Sequence, residues 1–286
     1  TILTDKWRDA STNLDPKHSN GYLTATGTGH WLKLQILKAR YGLLYNAKLK
    51  KLYGRGGDGN CPICRTCSKE GPITDSGAHI LGGCAHPTMK GMYINRHNQA
   101  TRLIAECLHN GRHGGGLMIM DAGKTDNLPQ YCHGTRIPGW MLPHLTKEEI
   151  SCLRPDILFI PTLALWKTKN RHYRGPQDKK QHVAYIIEVG YTGDLQHTEK
   201  LKQKMEQHAK LKEELTKAGW TVCYNDAQIV TLGATGTLPK SLTPMLCQLG
   251  VHPEQALRTS QNIHQQTVDM AGTIIRTRRV MENPNK

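Results

Sequence analysis

The chain has 286 residues, a formal charge of +15 and a pI near 9.5, with 37% hydrophobic residues and a single Phe. That length suits one medium domain with an appendage, or two domains, and excludes an isolated knuckle or peptide-like module; the core must be aliphatic. A basic excess spread along the chain points to a polyanionic partner, nucleic acid first and an anionic membrane second. No apolar stretch approaches the roughly 20 residues of a membrane span, so no membrane insertion is expected. The chain opens on Thr1 with neither a signal peptide nor a targeting helix after it, as expected of a segment cut from a longer protein.

Taken in order, Thr1 to Gly29 is polar and rich in Gly, Ser, Thr and Asn, which predicts extended linker. "HWLKLQILKARYGLLYNAKLKKLY", His30 to Tyr53, predicts a basic amphipathic helix or helix pair, and residues 1–60 carry a net +6. It serves equally as a solvated face packed on the next domain or as a nucleic-acid contact. "GRGGDGN" breaks the chain ahead of a cysteine cluster, after which Met92 to Asn110 reads as helix and Leu117 to Asp121 as a short buried strand. A Gly-, Pro- and His-rich loop leads to a short helix at Lys147 to Leu153. Strands are expected at Asp156 to Ile160 and Val183 to Val189, separated by a polar excursion, "KTKNRHYRGPQDKK". A long helix from Leu195 to Ala218, strands at Trp220 to Tyr224 and Gln228 to Leu232, and a tail helical in two pieces from Pro239 complete the layout. The order is that of a mixed α/β fold. Divided by composition, the chain comprises a basic helical linker (1–59), a cysteine-rich knuckle (60–91), an α/β core (92–238) and a helical extension (239–286).

Six of the nine cysteines are scattered and three are packed into "CPICRTC", which reads as metal chemistry in a reducing compartment. Cys61 and Cys64 form a C-x-x-C turn that can place two thiolates on one ion, and His79 and Cys84, flanking "ILGG", complete a tetrahedron. Cys67 is a reserve ligand, and His86 an alternative to Cys84. Four protein ligands leave no open position, so the ion expected here is a structural zinc.

Asp156 opens one strand and Glu188 ends the core of the next, in "AYIIEVGYTGD". Either acid alone reads as a cap or an ion-pair partner; together, in a basic chain, two acids at the ends of neighbouring strands can converge on Mg²⁺. On the following helix Leu201, Met205, His208, Leu211 and Leu215 form an inward stripe. Lys204 lies along it, where a lysine is costly unless it reaches a carboxylate, a phosphate or water. Lys200 and Lys202 lie to the side, and Lys212 snorkels from the edge.

These residues resemble a known family. "RPD" before a strand, a second strand holding Glu188, and a lysine on the next helix are similar to the PD-(D/E)XK nuclease superfamily, whose core runs α-β-β-β-α-β. "HILGGCAHPTMKGMYINRHNQA" resembles the zinc knuckle and Arg-His-Asn segment that precede the restriction-like endonuclease of site-specific non-LTR retrotransposon proteins. The resemblance spans about Cys61 to Gly233, and the preceding helices would correspond to the linker from a reverse transcriptase region. In that family the lysine stands two residues after the second acid. Gly190 is there in this chain, and Lys204 resembles a lysine displaced onto the helix. The 32 positions between Asp156 and Glu188 require the polar excursion to be an insertion. "YNDA", at Tyr224 to Ala227, has one Asp where a polymerase signature needs two, so no polymerase is expected.

The resemblance implies a DNA endonuclease that uses Mg²⁺ or Mn²⁺ and acts in the nucleus, nicking target DNA so that the freed 3′-OH primes reverse transcription. Asp156 and Glu188 would hold the metal, and Lys204 would orient water or neutralise charge. Arg96, His97 and Arg154 would contact phosphates, and Tyr191 would line the groove. Element RNA and the reverse transcriptase region are the implied further partners. Two other classes stay open: a zinc-stabilised nucleic-acid-binding module without catalysis, and an assembly domain that docks a polymerase or RNA.

Overall fold

Alternation within the short apolar runs sends their side chains to opposite faces of a single sheet, as the two-residue period of a strand requires. The computed structural model describes residues 12–64, 71–121, 128–161, 180 and 182–283. Within them lie five strands, β1 (Leu117–Met120), β2 (Ile157–Ile160), β3 (Val183–Thr192), β4 (Thr221–Cys223) and β5 (Ile229–Gly233). The helices are α1 (His30–Arg40), α2 (Ala47–Leu52), α3 (Pro87–His109), α4 (Lys147–Cys152), α5 (His197–Gln207), α6 (Ala209–Lys217), α7 (Leu242–Gln248) and α8 (Pro253–Glu282), with two single turns at Pro16–Ser19 and Gly21–Thr24.

The fold is α/β, a mixed five-stranded sheet flanked by helices. β1 and β2 are antiparallel, as are β2 and β3, with Ile157 opposite Ile187; β3 then pairs in parallel with β4 over its first residues and with β5 from Glu188 to Thr192. One face carries Met118, Met120, Phe159, Ile187 and Val189 under Ile104 and Leu108 of α3, Leu246 of α7 and Ile263 of α8. The other carries Ile119, Leu158, Ile160 and Ile186 under Ile150 of α4 and Leu211 and Leu215 of α6. Burial on both faces is why β2 is apolar throughout rather than alternating with polar residues.

The strands lie where the sequence predicts them, to within a few residues. The expected single helix from Leu195 to Ala218 is interrupted at His208, which separates α5 from α6. Almost all of the polar excursion between β2 and β3 lies outside the described residues.

The expectation of extended linker is corrected over residues 12–29. Tyr22 is fully buried, and its N–H donates to His264 Nε2 of α8 at 3.0 Å. Buried Arg40 donates to Ser19 O at 2.7 Å and to Thr235 Oγ1 at 2.9 Å. A few well-placed anchors dock a polar segment whose composition alone reads as loop. They belong to a third core, in which Leu32, Ile36 and Leu44 meet the Cys61 to Cys84 region and Ala271, Ile274 and Ile275 of α8. Where α1 meets α8, Leu32 packs over Gly272, and a Cβ there would come within 2.6 Å of Leu32 Cδ1 and displace that side chain. No helix among the described residues is long and apolar enough to cross a membrane.

α8 is also tied down by charge. Arg278, 2% exposed, donates to Asp75 Oδ1 at 3.1 Å; Asp75 is fully buried and also accepts Ala47 N at 2.8 Å. Removing one member of a buried pair strands the other. Asp75→Asn is expected to cost roughly 3 kcal/mol in urea unfolding, the low end for a broken buried pair, because Glu282 still faces Arg278 at 2.9 Å.

Candidate functional site

The register that sets Ile157 opposite Ile187 brings Asp156 beside Glu188 at the end of the paired strands. Asp156 N donates to Glu188 Oε1 at 3.0 Å, and Val189 N donates to Asp156 Oδ2 at 2.8 Å. Lys204 arrives from α5 and donates to Asp156 Oδ2 at 3.1 Å and to Glu188 Oε2 at 2.9 Å. All three are buried, Glu188 completely.

Two histidines flank this triad. His97 of α3 places Nε2 3.3 Å from Asp156 Oδ1 and 3.1 Å from Val189 O. A carbonyl only accepts, so His97 Nε2 carries the hydrogen. His208 places Nε2 3.1 Å from Glu188 Oε2, off the angle of a well-formed hydrogen bond.

The two acids are driven in opposite directions. Burial pushes the Asp156 carboxyl up, but the hydrogen bond and charge of His97, followed by the charge of Lys204, outweigh it and leave the group below the usual carboxylate range. For Glu188 burial prevails over His208 and Lys204, and its pKa is raised, with the neighbouring charge of Asp156 adding to the rise. Burial opposes the charge on Lys204, yet the two carboxylates raise its pKa. Splitting the affinities of paired carboxylates in this way is a recurrent feature of acid–base and metal sites.

Glu188 and Gly190 point to the face covered by α5. A Cβ at Gly190 would lie 3.1 Å from Lys200 Cε and 3.5 Å from Lys204 Cε. The absent side chain thus leaves the space that the stems of the two helix lysines fill.

The remaining expected site residues are distributed unevenly. Arg96 is 2% exposed, with its guanidinium 4.3 Å over the Tyr191 ring, and the Tyr191 hydroxyl is 2.8 Å from Thr267 Oγ1. This pair clamps α3, β3 and α8 together, with Arg96 buried and Tyr191 half-buried. Burial lowers the Arg96 pKa. Arg154 is exposed two residues before Asp156, its Nε donating to Ser151 O at 3.2 Å. In sequence His208 belongs to the inward core stripe and the "YNDA" segment carries no site signal; the position of His208 four residues after Lys204 on that stripe is the one local hint of its place beside Glu188.

The second cluster gathers Cys61, Cys64, His79 and Cys84, all buried, with donor atoms within 4.8 Å of one another. Cys64 N donates to Cys61 Sγ at 3.3 Å, which shapes the C-x-x-C turn. His79 enters from a wide π-type turn, His79–Gly83, whose carbonyls at His79 and Ile80 accept the Tyr93 hydroxyl. Cys64 Sγ lies 3.4 Å from both His79 Nε2 and Cys84 Sγ. A hydrogen bond with Cys84 pulls the Cys61 thiol down and pushes the Cys84 thiol up. Three thiols and one imidazole converging in a buried space can hold a metal such as zinc. His86 instead caps α3, its Nδ1 accepting Thr88 N at 3.2 Å, and Cys67 lies outside the described residues.

No protein-family model, curated protein or solved structure matches this chain.

The cysteine and histidine cluster is expected to retain one zinc ion per chain by elemental analysis. His79→Ala should lose it, and chelation of the intact chain should lower the melting temperature, because metal affinity is folding free energy in such a site. Lys204→Met should cost roughly 3 to 5 kcal/mol in urea unfolding by leaving two buried carboxylates face to face. Adding Asp156→Asn and Glu188→Gln to that variant should recover much of the loss, and a single variant as stable as wild type would rule out a tightly held triad.

Proposed function

We propose that this chain is a divalent-metal-dependent DNA endonuclease with a restriction-like core, the nicking region of a site-specific non-LTR retrotransposon protein. The carrying observation is the meeting of Asp156, Glu188 and Lys204 within 3.1 Å, although they lie 16 to 48 positions apart in the chain. The sequence of elements around them, α3, β1, β2, β3, α5 with α6, and β4, is compatible with the α-β-β-β-α-β order of the PD-(D/E)XK core once the short α4 between β1 and β2 is counted as an insertion. Gly190 supports the displaced lysine: where that family carries the lysine, this chain leaves a gap and fills it from α5.

The donor set suits a hard divalent cation, since both acids offer oxygen and their common site already accommodates the positive charge of Lys204. When bound, Mg²⁺ or Mn²⁺ supplies an activated water and stabilisation of charge on the phosphate. Lys204 places a preorganised cation where negative charge develops, in surroundings dry enough to strengthen it. His97 holds Asp156 from the side opposite the lysine. Arg154, exposed beside the acids, is the phosphate contact in this reading. The buried Cys61, Cys64, His79 and Cys84 cluster carries a structural zinc, and the basic α1 and α2 grip duplex DNA through its backbone. Element RNA and a reverse transcriptase region of the same larger protein are the further partners, and the site of action is the nucleus.

One observation favours a second reading, a zinc-stabilised nucleic-acid-binding module without catalysis. Glu188 is fully buried, and both of its oxygens are already engaged by Asp156 N and Lys204.

The two readings part on supercoiled plasmid with zinc retained and Mg²⁺ or Mn²⁺ added. An endonuclease nicks it, and Glu188→Ala or Lys204→Ala lowers the rate by at least about 100-fold, as expected for removing a group that stabilises the transition state. Tight DNA binding without nicking under any divalent ion would favour the binding module.

A further inference from the structure

His208 and Tyr224 are buried, take no direct part in the chemistry above, and meet where the lysine-bearing helix is interrupted. His208 leaves helical geometry, with φ −112° and ψ 11°, and its N–H turns to Glu206 O. In an unbroken helix that N–H would reach back four residues to Lys204 O. The Lys204 carbonyl instead accepts the Tyr224 hydroxyl at 2.5 Å. Tyr224 follows directly on β4, and its ring meets the His208 imidazole edge-on, centroids 6.5 Å apart and planes at 89°. The imidazole Nε2 in turn lies 3.1 Å from Glu188 Oε2, the oxygen that takes Lys204 Nζ at 2.9 Å. A regular helix across this point would satisfy the Lys204 carbonyl by itself and take from the buried Tyr224 hydroxyl the acceptor it has here.

We propose that Tyr224 and His208 are positioning residues: Tyr224 holds the helix open at Lys204 O, and the opening sets the His208 imidazole against Glu188, fixing carboxylate and ammonium at one separation. The inference rests on the endonuclease reading. It extends the site to a residue of the "YNDA" segment and to one of the inward helical stripe. Both act through groups they touch, Tyr224 through the backbone of Lys204 and His208 through the Glu188 carboxylate. Outer partners of metal-binding carboxylates affect metal affinity and rate together.

The test uses the full chain with zinc retained and follows Mn²⁺ binding by electron paramagnetic resonance alongside plasmid nicking. Tyr224→Phe keeps the ring and loses the hydroxyl; His208→Leu removes the imidazole; His208→Gln keeps an N–H for Glu188. Circular dichroism establishes that each variant is folded. Tyr224→Phe and His208→Leu are expected to weaken Mn²⁺ binding and slow nicking by roughly 10- to 100-fold, and His208→Gln to recover most of both. Should His208→Leu fail to fold, Tyr224→Phe against His208→Gln makes the same comparison. Wild-type Mn²⁺ affinity in folded Tyr224→Phe and His208→Leu, with nicking intact or not, would overturn the inference while an active wild type left the endonuclease standing. A wild type that neither binds Mn²⁺ nor nicks would bring down both.

Discussion

A lysine ammonium buried between two carboxylates is the constraint on which the rest of this structure turns. Lys204 sits on the inward side of its helix, where an unpaired charge would be intolerable, and the two acids that pair it come from the residue just before β2 and from the middle of β3, which runs on to Thr192 beyond the expected end at Val189. Pairing that charge requires the register of β2 against β3 that sets Asp156 beside Glu188, and space beside Gly190 for the lysine stems. Ion pairs of this kind contribute little net stability against apolar residues of the same volume. Retaining one at the edge of an otherwise aliphatic core is easier to account for by function than by stability.

The surrounding architecture holds those three residues from several sides. His97 reaches Asp156 from α3, and the Arg96 guanidinium beside it stacks on Tyr191 of β3. Adjacent residues of one helix thus divide the work, one facing the acids and the other locking the helix to the sheet. α8 extends this support to the cysteine and histidine cluster, since it packs on the sheet through Ile263 and on the core around Cys61, Cys64 and Cys84 through Ile274 and Ile275. The buried Arg278 to Asp75 pair and the close contact at Gly272 make α8 a strut shared by both regions. A basic chain with a modest apolar fraction gains order from such polar anchors, each set by position rather than by area.

Much of the fold was legible because its elements carry strong local signals. Short continuous runs of apolar β-formers marked β1, β2 and β3, the inward stripe marked α5 and α6, and Pro253 at the first turn of α8 agrees with the preference of proline for that position. The C-x-x-C turn with His79 and Cys84 was legible because metal chemistry demands particular residue types at particular spacing. The docking of residues 12–29 was not. Tyr22 and Arg40 are anchored by His264 and Thr235, partners about 200 positions or more away, and nothing in a polar local sequence announces them.

The sequence by itself determined which residues were able to serve the site: an acid just before one strand and another within the next, a lysine whose helical phase forced it inward, and four metal-type donors within one short stretch. Local periodicity and side-chain chemistry decide those things without reference to distant chain. Only the tertiary structure decided how they are used. The register of β2 on β3 set Asp156 beside Glu188, and the packing of α3 turned His97 toward the acids and Arg96 into the interior. The hydroxyl of Tyr224 took the carbonyl of Lys204 where the helix breaks at His208. Each of these is a contact between elements far apart in the chain, and its geometry exists only once the sheet and its covering helices have packed.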